Sequence, residues 1–342
     1  MITDVIQRLI DRVDLTEQEA RAVMEEIMAG HATDIQVAGF LTALRMKGET
    51  AAELIGFARV MREKAEPLWD GVIPPLLDTA GTGGDRSGTF NISTAAALVA
   101  AGAGIRVAKH GNRSASSRCG SADVMEALGI DIQMPMDRLR HAIQDLGFGF
   151  LFAPRFHSSM KHVVPVRMQL KVRTVFNILG PLANPAGARF QIVGVSSPAV
   201  MELMANALHG LSLDCAFVVH GVDGVDEISI SQPTHVIEIR PGGIKKFMIS
   251  PEDFGIARAP VEAILGGDPE ENARIIENIF SGEKGPRRDV VLMNAAAAIV
   301  AGGGAVTLQE GFRAAEHSID SGTTLKKLQA LREESRGLHG LH

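Results

Sequence analysis

Two long stretches of the chain carry basic side chains and no carboxylate. The first covers residues 86–122, and its lysine and arginine residues are Arg86, Arg106, Lys109, Arg113 and Arg118. The second covers residues 146–201, and its lysine and arginine residues are Arg155, Lys161, Arg167, Lys171, Arg173 and Arg189. The whole protein has 342 residues and a formal net charge of −6, with 40 acidic residues. Because an acidic protein keeps these stretches free of negative charge, we predict a positive local field that suits a small polyanion.

A glycine-rich loop precedes the first stretch. Gly81–Asp85, with the sequence GTGGD, follows a short apolar strand and leads to Ser93 and Thr94 at the start of an alanine-rich helix. Glycines let the backbone approach a phosphate, and the N–H groups of a helix's first turn can bind it. The dinucleotide-binding fingerprint is excluded because position 86 is arginine, and a Walker loop is excluded because Thr-Phe follows Gly88. An ordinary tight turn remains the alternative for this loop taken alone.

A second polar loop follows the next predicted strand. It runs from Lys109 to Ser121 with the sequence KHGNRSASSRCGS, and holds three bases, four serine hydroxyls and two glycines. Charged donors and hydroxyl groups together suit an anion with many oxygens, such as a pyrophosphate. Beside the glycine-rich loop, we interpret this loop as the other half of one anion site.

The secondary structure that must position these loops differs between the N-terminal part of the chain and the rest. The first seventy residues are predicted to be helical, because apolar residues recur at helical spacing and three capping boxes occur in a row. These boxes are Thr16 with Glu19, Thr33 with Gln36, and Thr50 with Glu53. Prolines at 67, 74 and 75 end this part. A helical bundle of this kind often presents a face to a second copy, so we expect a homodimer.

Beyond residue 75, short apolar strands alternate with helices, which predicts a mostly parallel sheet covered on both faces. The predicted strands are Leu76–Thr79, Ile105–Ala108, Phe150–Phe152, Phe190–Val195, Cys215–Val219 and Val236–Ile239. The predicted helices between them are Ser93–Ala103, Ser121–Leu128, Met136–Leu146 and Pro198–Leu211. The tail is predicted to be helical over Asn272–Phe280, Val290–Ala301, Leu308–His317 and Thr323–Arg332. The fold class is therefore α/β: a small all-helical domain, and a larger α/β domain with a mostly parallel central sheet and C-terminal helices.

The composition limits the cellular compartment and the kinds of partner that we expect for the protein. The first residues include an acid at Asp4 and no apolar core, so we expect no secretory signal. The uncharged run over residues 290–308 contains three consecutive glycines that should end its helix after Ala301, too early to span a membrane. The two cysteines, Cys119 and Cys215, cannot build a disulfide framework and are predicted to be packing residues in a reducing, cytoplasmic setting. The net charge of −6 argues against a nucleic-acid partner.

Taken together, the chain from about residue 5 to 335 resembles the anthranilate phosphoribosyltransferase family. The motifs that carry the resemblance are Gly81–Asp85, Asn91–Thr94, Lys109–Ser117, Ser121–Asp123, Phe152–Pro154, His157, Met160–Lys161, Pro165–Arg167, Arg173–Asn177, Leu179–Pro185 and Asp226–Ser229. Lys171 departs from the pattern, because the family often has glycine there.

The resemblance implies a reaction and a set of site residues. The family transfers the phosphoribosyl group of 5-phosphoribosyl 1-diphosphate, the donor, to the amine of anthranilate, the acceptor, and uses Mg²⁺, with two ions expected per site beside the diphosphate. The implied donor-binding residues are Gly81, Gly84, Asp85, Thr89, Asn91, Ile92, Ser93, Thr94, Lys109, His110, Gly111, Asn112, Arg113, Ser114, Ala115, Ser116, Ser117 and Ser121. The implied acceptor-binding residues are Gly81, Asn112 and Arg167, with His110 and Pro181 lining the path. The implied metal ligands are Ser93, Asp226 and Glu227.

The implied roles agree with the chemistry of the residue types. Mg²⁺ prefers oxygen ligands such as the carboxylates of Asp226 and Glu227 together with substrate phosphates. The Arg167 guanidinium can pair with a benzoate carboxylate through two parallel hydrogen bonds. An aryl amine is already neutral and nucleophilic, so no acid–base residue is obligatory and His110 is assigned to orientation. We expect a displacement at the anomeric carbon with an oxocarbenium-like transition state, aided by positioning and by neutralisation of the leaving group.

The resemblance also implies how the chain divides into domains. Residues 1–72 are expected to form the helical domain, with the segment 164–185 returning to it, and residues 73–163 and 186–342 the donor-binding α/β domain. The active site is expected in the cleft between the two.

Two other functions remain open at this point. A pyrimidine nucleoside phosphorylase shares this architecture, but it would not need Arg167 for a carboxylate. A non-catalytic relative that binds nucleic acid is disfavoured by the acidic net charge and by the intact Asp226–Glu227 pair.

Overall fold

A computed structural model describes residues 1–69, 71–114 and 118–337 of the chain. Its helices are α1 (Ile2–Ile10), α2 (Glu17–Met28), α3 (Asp34–Lys47), α4 (Ala51–Glu63), α5 (Ile92–Gly102), α6 (Ser121–Ala127), α7 (Met136–His141), α8 (Ala153–Phe156), α9 (Val164–Leu170), α10 (Phe176–Leu179), α11 (Pro198–Gly210), α12 (Pro269–Phe280), α13 (Pro286–Ala301), α14 (Leu308–Asp320) and α15 (Thr323–Arg336). Its strands are β1 (Leu77–Asp78), β2 (Val107–Gly111), β3 (Phe148–Phe152), β4 (Phe190–Gly194), β5 (Cys215–Gly221), β6 (Thr234–Arg240) and β7 (Gly243–Ile249).

The N-terminal helices begin where local capping places them. The hydroxyls of Thr16, Thr33 and Thr50 each accept a hydrogen bond from the N–H group three residues later, which confirms the three predicted capping boxes. The bundle buries its apolar stripes, and Phe40 packs edge to face on Phe57 with ring centres 5.9 Å apart. The prediction that this part of the chain is helical is therefore confirmed.

Within the described residues, one sheet has the strand order β3-β2-β1-β4-β5-β6-β7. All pairs from β3 through β5 are parallel, whereas β6 and β7 are antiparallel to their neighbours. The predicted mostly parallel sheet is confirmed. Strand β7 is not among the predicted strands, because it is an exposed edge strand in which Lys245 and Lys246 interrupt the apolar pattern.

The strand order reverses beside β1, which has β2 on one side and β4 on the other. In an open parallel sheet the loops on the two sides of such a reversal diverge and leave a crevice at the carboxyl ends of the strands. The Gly81–Asp85 loop follows β1, and the Lys109–Ser121 loop begins at the end of β2. The topology therefore brings both polar loops to one crevice.

The C-terminal helices cover the sheet. Helix α13 is buried from Val290 to its end at Ala301, where the glycine triplet follows, as predicted. The predicted helix Met136–Leu146 is helical throughout, but its form changes: α7 ends at His141, and residues 142–146 continue as a π-helix. No helix in the described ranges is long and apolar enough to cross a membrane.

The segment that follows β3 packs with the N-terminal bundle. Val166 of α9 and Phe176 and Leu179 of α10 belong to the same apolar cluster as Phe40 and Phe57. That cluster also includes residues of α11 and of one face of the sheet. The exact domain boundaries remain a prediction.

Candidate active site

A cavity of about 710 Å³ lies at the carboxyl ends of β1, β2 and β4. It brings together most of the residues that the sequence singled out. These are Gly81, Gly84, Asp85, Thr89, Asn91, Ile92, Ser93, Lys109, His110, Gly111, Asn112, Ser121, Asp226 and Glu227. The two polar loops and the acidic pair, far apart in the chain, therefore face one space.

Thr94 and Arg113, both expected in the donor site, do not line this cavity. Thr94 follows Ser93 on α5, so its side chain points about 100° away and is fully buried in the core. The Arg113 guanidinium is held on the surface by Asp123 at 2.9 Å and by Glu126 at 2.5 Å. Helix burial and an ion-pair network, which the loop composition did not reveal, account for both positions.

Other expected site residues also lie away from the cavity. The Ser114 N–H donates to the Asp123 carboxylate at 3.1 Å, which ties this end of the loop to α6. Arg167 lies on α9, where its guanidinium stacks 5.4 Å from the centre of the Phe176 ring. Among the described residues, no carboxylate lies within ion-pair distance of Arg167. Ala115, Ser116 and Ser117 fall outside the described residues.

The glycine-rich loop has the backbone that only glycine adopts readily. Gly83 and Gly84 have φ angles of +64° and +80°. The Thr82 N–H donates to the Gly194 carbonyl at 2.9 Å, which fixes the loop to the end of β4. Arg173, from the second basic stretch, donates to the carbonyls of Gly83 and Gly84 at 3.2 and 3.3 Å. The second stretch therefore supports the first loop directly.

We expect Gly83→Val to impair use of the donor, whereas Gly104→Val should not. Both glycines have positive φ and open space where a Cβ would lie, so each variant should lose about 1–2 kcal/mol of stability. Only Gly83 lines the cavity. The KM for the donor should rise about tenfold or more in Gly83→Val alone. Equal donor kinetics in the two folded variants would contradict a phosphate-binding role for this loop.

The acidic pair lies beside a third carboxylate. Burial, followed by repulsion from Asp85, raises the pKa of Asp226, and burial with repulsion from Asp226 raises the pKa of Glu227. The Ser93 N–H donates to a Glu227 oxygen at 3.1 Å, which joins the pair to the start of α5. Within the described residues, no three His, Cys, Asp or Glu side chains form a ready-made metal site. Three carboxyl groups are therefore concentrated here, and Lys109 is the cation that favours the charged form of Glu227.

Lys109 lies at the base of the cavity. Its side chain, only 2% exposed, donates to the Thr79 carbonyl and hydroxyl at 2.9 Å each, and reaches the Ser93 hydroxyl at 3.4 Å. Burial lowers the pKa of Lys109, while Asp78 and Glu227 favour its charged form. The lysine thus links the ends of β1 and β2 to the start of α5.

His110 is held as a neutral ring. Its Nδ1 lies 3.1 Å from the Gly180 carbonyl, and burial lowers its pKa to about 4. The ring packs against His157 with centres 5.2 Å apart. A neutral imidazole can orient a ligand through a hydrogen bond without adding charge to the cavity.

Sequence reasoning missed two residues that support the site. Asn272, in a helix interpreted only as part of the tail, donates to the Asn91 side chain at 2.9 Å and accepts from the Gly267 N–H at 2.8 Å. Asp78, fully buried at the end of β1, accepts from the His110 N–H at 3.1 Å. A charged residue inside an apolar strand was an available signal for Asp78, whereas nothing local distinguished Asn272.

Comparison with known proteins gives the family. Residues 73–325 match the family model described as "Glycosyl transferase family, a/b domain", and residues 3–65 match the helical bundle domain of the same family. Anthranilate phosphoribosyltransferase of Chloroflexus aggregans is 53% identical over 98% of this chain and 99% of its own length. That of Symbiobacterium thermophilum is 54% identical over 96% of each chain. The chain belongs to the anthranilate phosphoribosyltransferase family.

Solved structures of anthranilate phosphoribosyltransferases share the whole fold. The enzyme of Thermus thermophilus superposes with a TM-score of 0.91 at 47% identity, covering 97% of this chain and 99% of that one. The enzyme of Saccharomyces cerevisiae in complex with PRPP and Mg gives a TM-score of 0.90 at 30% identity over 98% of both chains. The resemblance inferred from the motifs is therefore confirmed at the level of family and fold.

Proposed function

We propose that this chain transfers the phosphoribosyl group of 5-phosphoribosyl 1-diphosphate to the amine of anthranilate. The products are N-(5-phosphoribosyl)anthranilate and diphosphate, and the reaction is the second step of tryptophan biosynthesis from chorismate. One observation carries the proposal: a single cavity joins the glycine-rich loop, the Lys109–Asn112 segment and the buried Asp226–Glu227 pair. The family membership established above supports the same reaction.

The donor occupies the cavity in this proposal. The backbone of Gly81–Asp85 lies against the diphosphate, and the N–H groups at the start of α5 bind its oxygens, as helix N-termini bind phosphate elsewhere. The bond from the anomeric carbon to diphosphate breaks and its electrons leave with the diphosphate. The amine nitrogen forms the new bond and releases one proton, which passes to solvent water. Positioning and electrostatic stabilisation supply the catalysis, so no side chain has to act as a nucleophile.

The acidic pair fits magnesium. Asp226 and Glu227 offer hard oxygen ligands, and the repulsion that raises the pKa of both is relieved by a divalent cation. When bound, Mg²⁺ would neutralise charge on the diphosphate as it leaves. Asp226, Glu227 and the Ser93 hydroxyl are the proposed ligands, and two ions per site remain our expectation.

Anthranilate is proposed to bind between the cavity and α9. The Arg167 guanidinium has no carboxylate partner among the described residues and stacks on Phe176, so it is available for an anion. Gly81 and Asn112 line the cavity side of this path, with His110 orienting the amine. We propose that the helical domain, residues 1–72 with the segment 164–185, moves against the α/β domain, residues 73–163 and 186–342, to bring the acceptor over the donor.

A fluorescence assay of anthranilate consumption tests the function. We expect anthranilate to be consumed only when both the donor and Mg²⁺ are present. Thymidine with inorganic phosphate is the control pair for a nucleoside phosphorylase. Turnover of that pair, with no consumption of anthranilate, would overturn the proposal.

The reaction is proposed to take place in the cytoplasm, since the composition suits a reducing compartment.

We also propose a homodimer formed through the helical domain. Large apolar side chains on α1, α3 and α9 are exposed, among them Ile10, Ile35, Met46 and Met168. Exposed apolar groups clustered on neighbouring helices are typical of protein interfaces.

Ile35→Lys is expected to shift the protein toward monomer, with Val306→Lys as the matched control. Ile35 and Val306 are both 85% exposed, but Val306 precedes α14, far along the chain from the N-terminal bundle. Burying a lysine charge in an apolar interface is costly, so only Ile35→Lys should raise the dissociation constant in sedimentation equilibrium, by about tenfold or more. A wild-type monomer at micromolar concentration, or equal effects of both variants, would refute this interface.

A further inference from the structure

Residues Gly180–Asn184, which we call the strap, connect α10 with the loop that leads to β4. Three successive carbonyls of the strap each accept a hydrogen bond from a side chain on a different element. His110 of β2 bonds the first, at Gly180, with 3.1 Å between Nδ1 and oxygen. This bond joins the strap to a residue that lines the cavity.

Gln191 and Arg62 bond the second and third carbonyls. Gln191 of β4 donates its side-chain N–H to the Pro181 carbonyl at 3.0 Å. Arg62, in the last turn of α4, donates through Nε to the Leu182 carbonyl at 2.6 Å. The strap is therefore held from the sheet on one side and from the N-terminal bundle on the other.

The end of the strap is tied to the backbone of His110. Asn184 donates its amide N–H groups to the Asp78 carboxylate and to the Ala108 carbonyl, each at 2.8 Å. The other Asp78 oxygen accepts from the His110 N–H at 3.1 Å. Both the backbone and the ring of His110 are consequently positioned relative to the strap.

This arrangement determines which nitrogen of His110 carries the proton. A carbonyl oxygen can only accept, so the neutral ring must hold its proton on Nδ1 to bond Gly180. The Nε2 atom is then a bare acceptor, buried and without a partner in the described part of the chain, on a residue that lines the cavity. The position of the Gly180 carbonyl thus decides whether Nε2 of this cavity-lining residue is a hydrogen-bond acceptor.

Arg62 and Gln191 each make one side-chain hydrogen bond among the described residues, and both of these bonds go to the strap. The Nη2 atom of Arg62 and the Oε1 atom of Gln191 are buried without a hydrogen-bond partner among the described residues. Keeping such polar atoms buried and unpaired is costly. Arg62 and Gln191 both carry this cost, and they bond adjacent carbonyls of the strap. A role of these two hydrogen bonds in shaping the site explains why the cost is kept.

We propose that Arg62 and Gln191 are positioning residues for the transfer reaction, acting through the strap to keep Nε2 of His110 a hydrogen-bond acceptor that orients the amine of the acceptor substrate. This inference rests on the proposed function. Neither side chain lines the cavity or touches the reacting atoms. Their role is to place the Gly180–Leu182 turn, and with it the His110 ring.

Kinetics of near-isosteric variants test the role. Arg62→Met and Gln191→Met remove the donors but keep the apolar volume. We expect kcat/KM for anthranilate to fall about tenfold in each, with the donor KM within about twofold of wild type. Arg62→Lys restores a single donor and should recover part of the loss. Ser318→Ala, which removes a buried bond to the Val99 carbonyl away from the site, is the matched control for lost stability alone.

An NMR measurement on the ligand-free protein separates failure of this inference from failure of the proposed function. With ¹⁵N-histidine labelling, and His110→Asn to assign the signals, wild type should show a protonated Nδ1 and a bare Nε2. In Arg62→Met and Gln191→Met, a fraction of His110 should carry the proton on Nε2 instead, and Ser318→Ala should match wild type.

Two results would overturn the inference. One is a wild-type ring protonated on Nε2, or signals that stay the same in both methionine variants. The other is a methionine variant whose kinetic losses equal those of Ser318→Ala at the same melting temperature. If instead the NMR result holds and wild type does not consume anthranilate, the strap stands and the proposed function fails.

Discussion

Replacing Asp226 with Asn and Glu227 with Gln together is expected to remove most transferase activity while the protein stays folded. The two carboxylates are the proposed magnesium ligands, and loss of a group that stabilises leaving charge typically costs about a hundred- to a thousandfold in rate. The amides keep the shape of the side chains and the hydrogen bond from the Ser93 N–H to residue 227. Initial rates measured across a magnesium titration, at saturating donor and anthranilate, give the comparison.

The same double variant should be more stable than wild type at neutral and higher pH when no ligand is bound. Burial raises the pKa of both carboxyl groups, as does repulsion from Asp85 on Asp226 and from Asp226 on Glu227, so the folded protein holds their protons more tightly than the unfolded chain does. Their contribution to stability is therefore full below the ordinary carboxyl pKa, near 4, and is lost as the pH rises through the raised values. The amide variant lacks this loss, whereas Asp85 and Lys109 are present in both proteins.

Thermal melts of both proteins between pH 5 and pH 9, with and without magnesium and diphosphate, measure this difference. Wild type should lose more melting temperature with rising pH than the variant does, and it should regain more with the ligands. Near wild-type rates of the variant at limiting magnesium would show that the metal assignment is wrong. If the melting temperatures of the two proteins changed equally with pH, charge on Asp226 and Glu227 would not destabilise the folded protein.

Arg167→Ala is expected to weaken anthranilate use far more than donor use. A charge-assisted pair of hydrogen bonds to a carboxylate is typically worth about 2–3 kcal/mol, which corresponds to roughly a thirty- to hundredfold loss in kcat/KM for anthranilate. The guanidinium has no carboxylate partner among the described residues and stacks on Phe176, so its removal should cost the fold little. Paired titrations of both substrates, on a variant shown by circular dichroism to be folded, provide the measurement.

Arg167→Lys separates charge from shape at the same position. An ammonium group cannot present the planar fork of a guanidinium, so we expect only partial recovery of anthranilate use. A rise in the donor KM with an unchanged anthranilate KM would place Arg167 in the phosphate site instead. That outcome would reverse the proposed position of the acceptor.

Much of the fold could be predicted because it depends on local patterns. The capping boxes at Thr16, Thr33 and Thr50 involve residues three apart, and the end of α13 at Ala301 follows from the glycines after it. Short apolar strands that alternate along the chain with segments of helical spacing indicated the mostly parallel sheet. The two carboxylate-free stretches marked both polar loops, and loops that follow neighbouring parallel strands meet at one edge of the sheet.

The tertiary structure alone decided which of these polar residues face the cavity. Thr94 turns into the core because it is one step further round α5 than Ser93, and Arg113 is drawn to Asp123 and Glu126 on the surface. Strand β7 buries Ile249 and, in part, Phe247, but Lys245 on the same face breaks the apolar alternation that a sequence could display.

The supporting contacts of the site were likewise beyond sequence reasoning. Asn272 bonds Asn91, 181 residues away along the chain, and Gln191 and Arg62 bond the carbonyls of the strap. A hydrogen bond to a backbone carbonyl can be made by many side-chain types and leaves no periodic pattern in the sequence. The sequence by itself therefore determined the family, the elements and the loops that carry the chemistry. Only the folded chain determined the partners that hold those loops in place, because such bonds depend on distances between atoms that the local sequence does not encode.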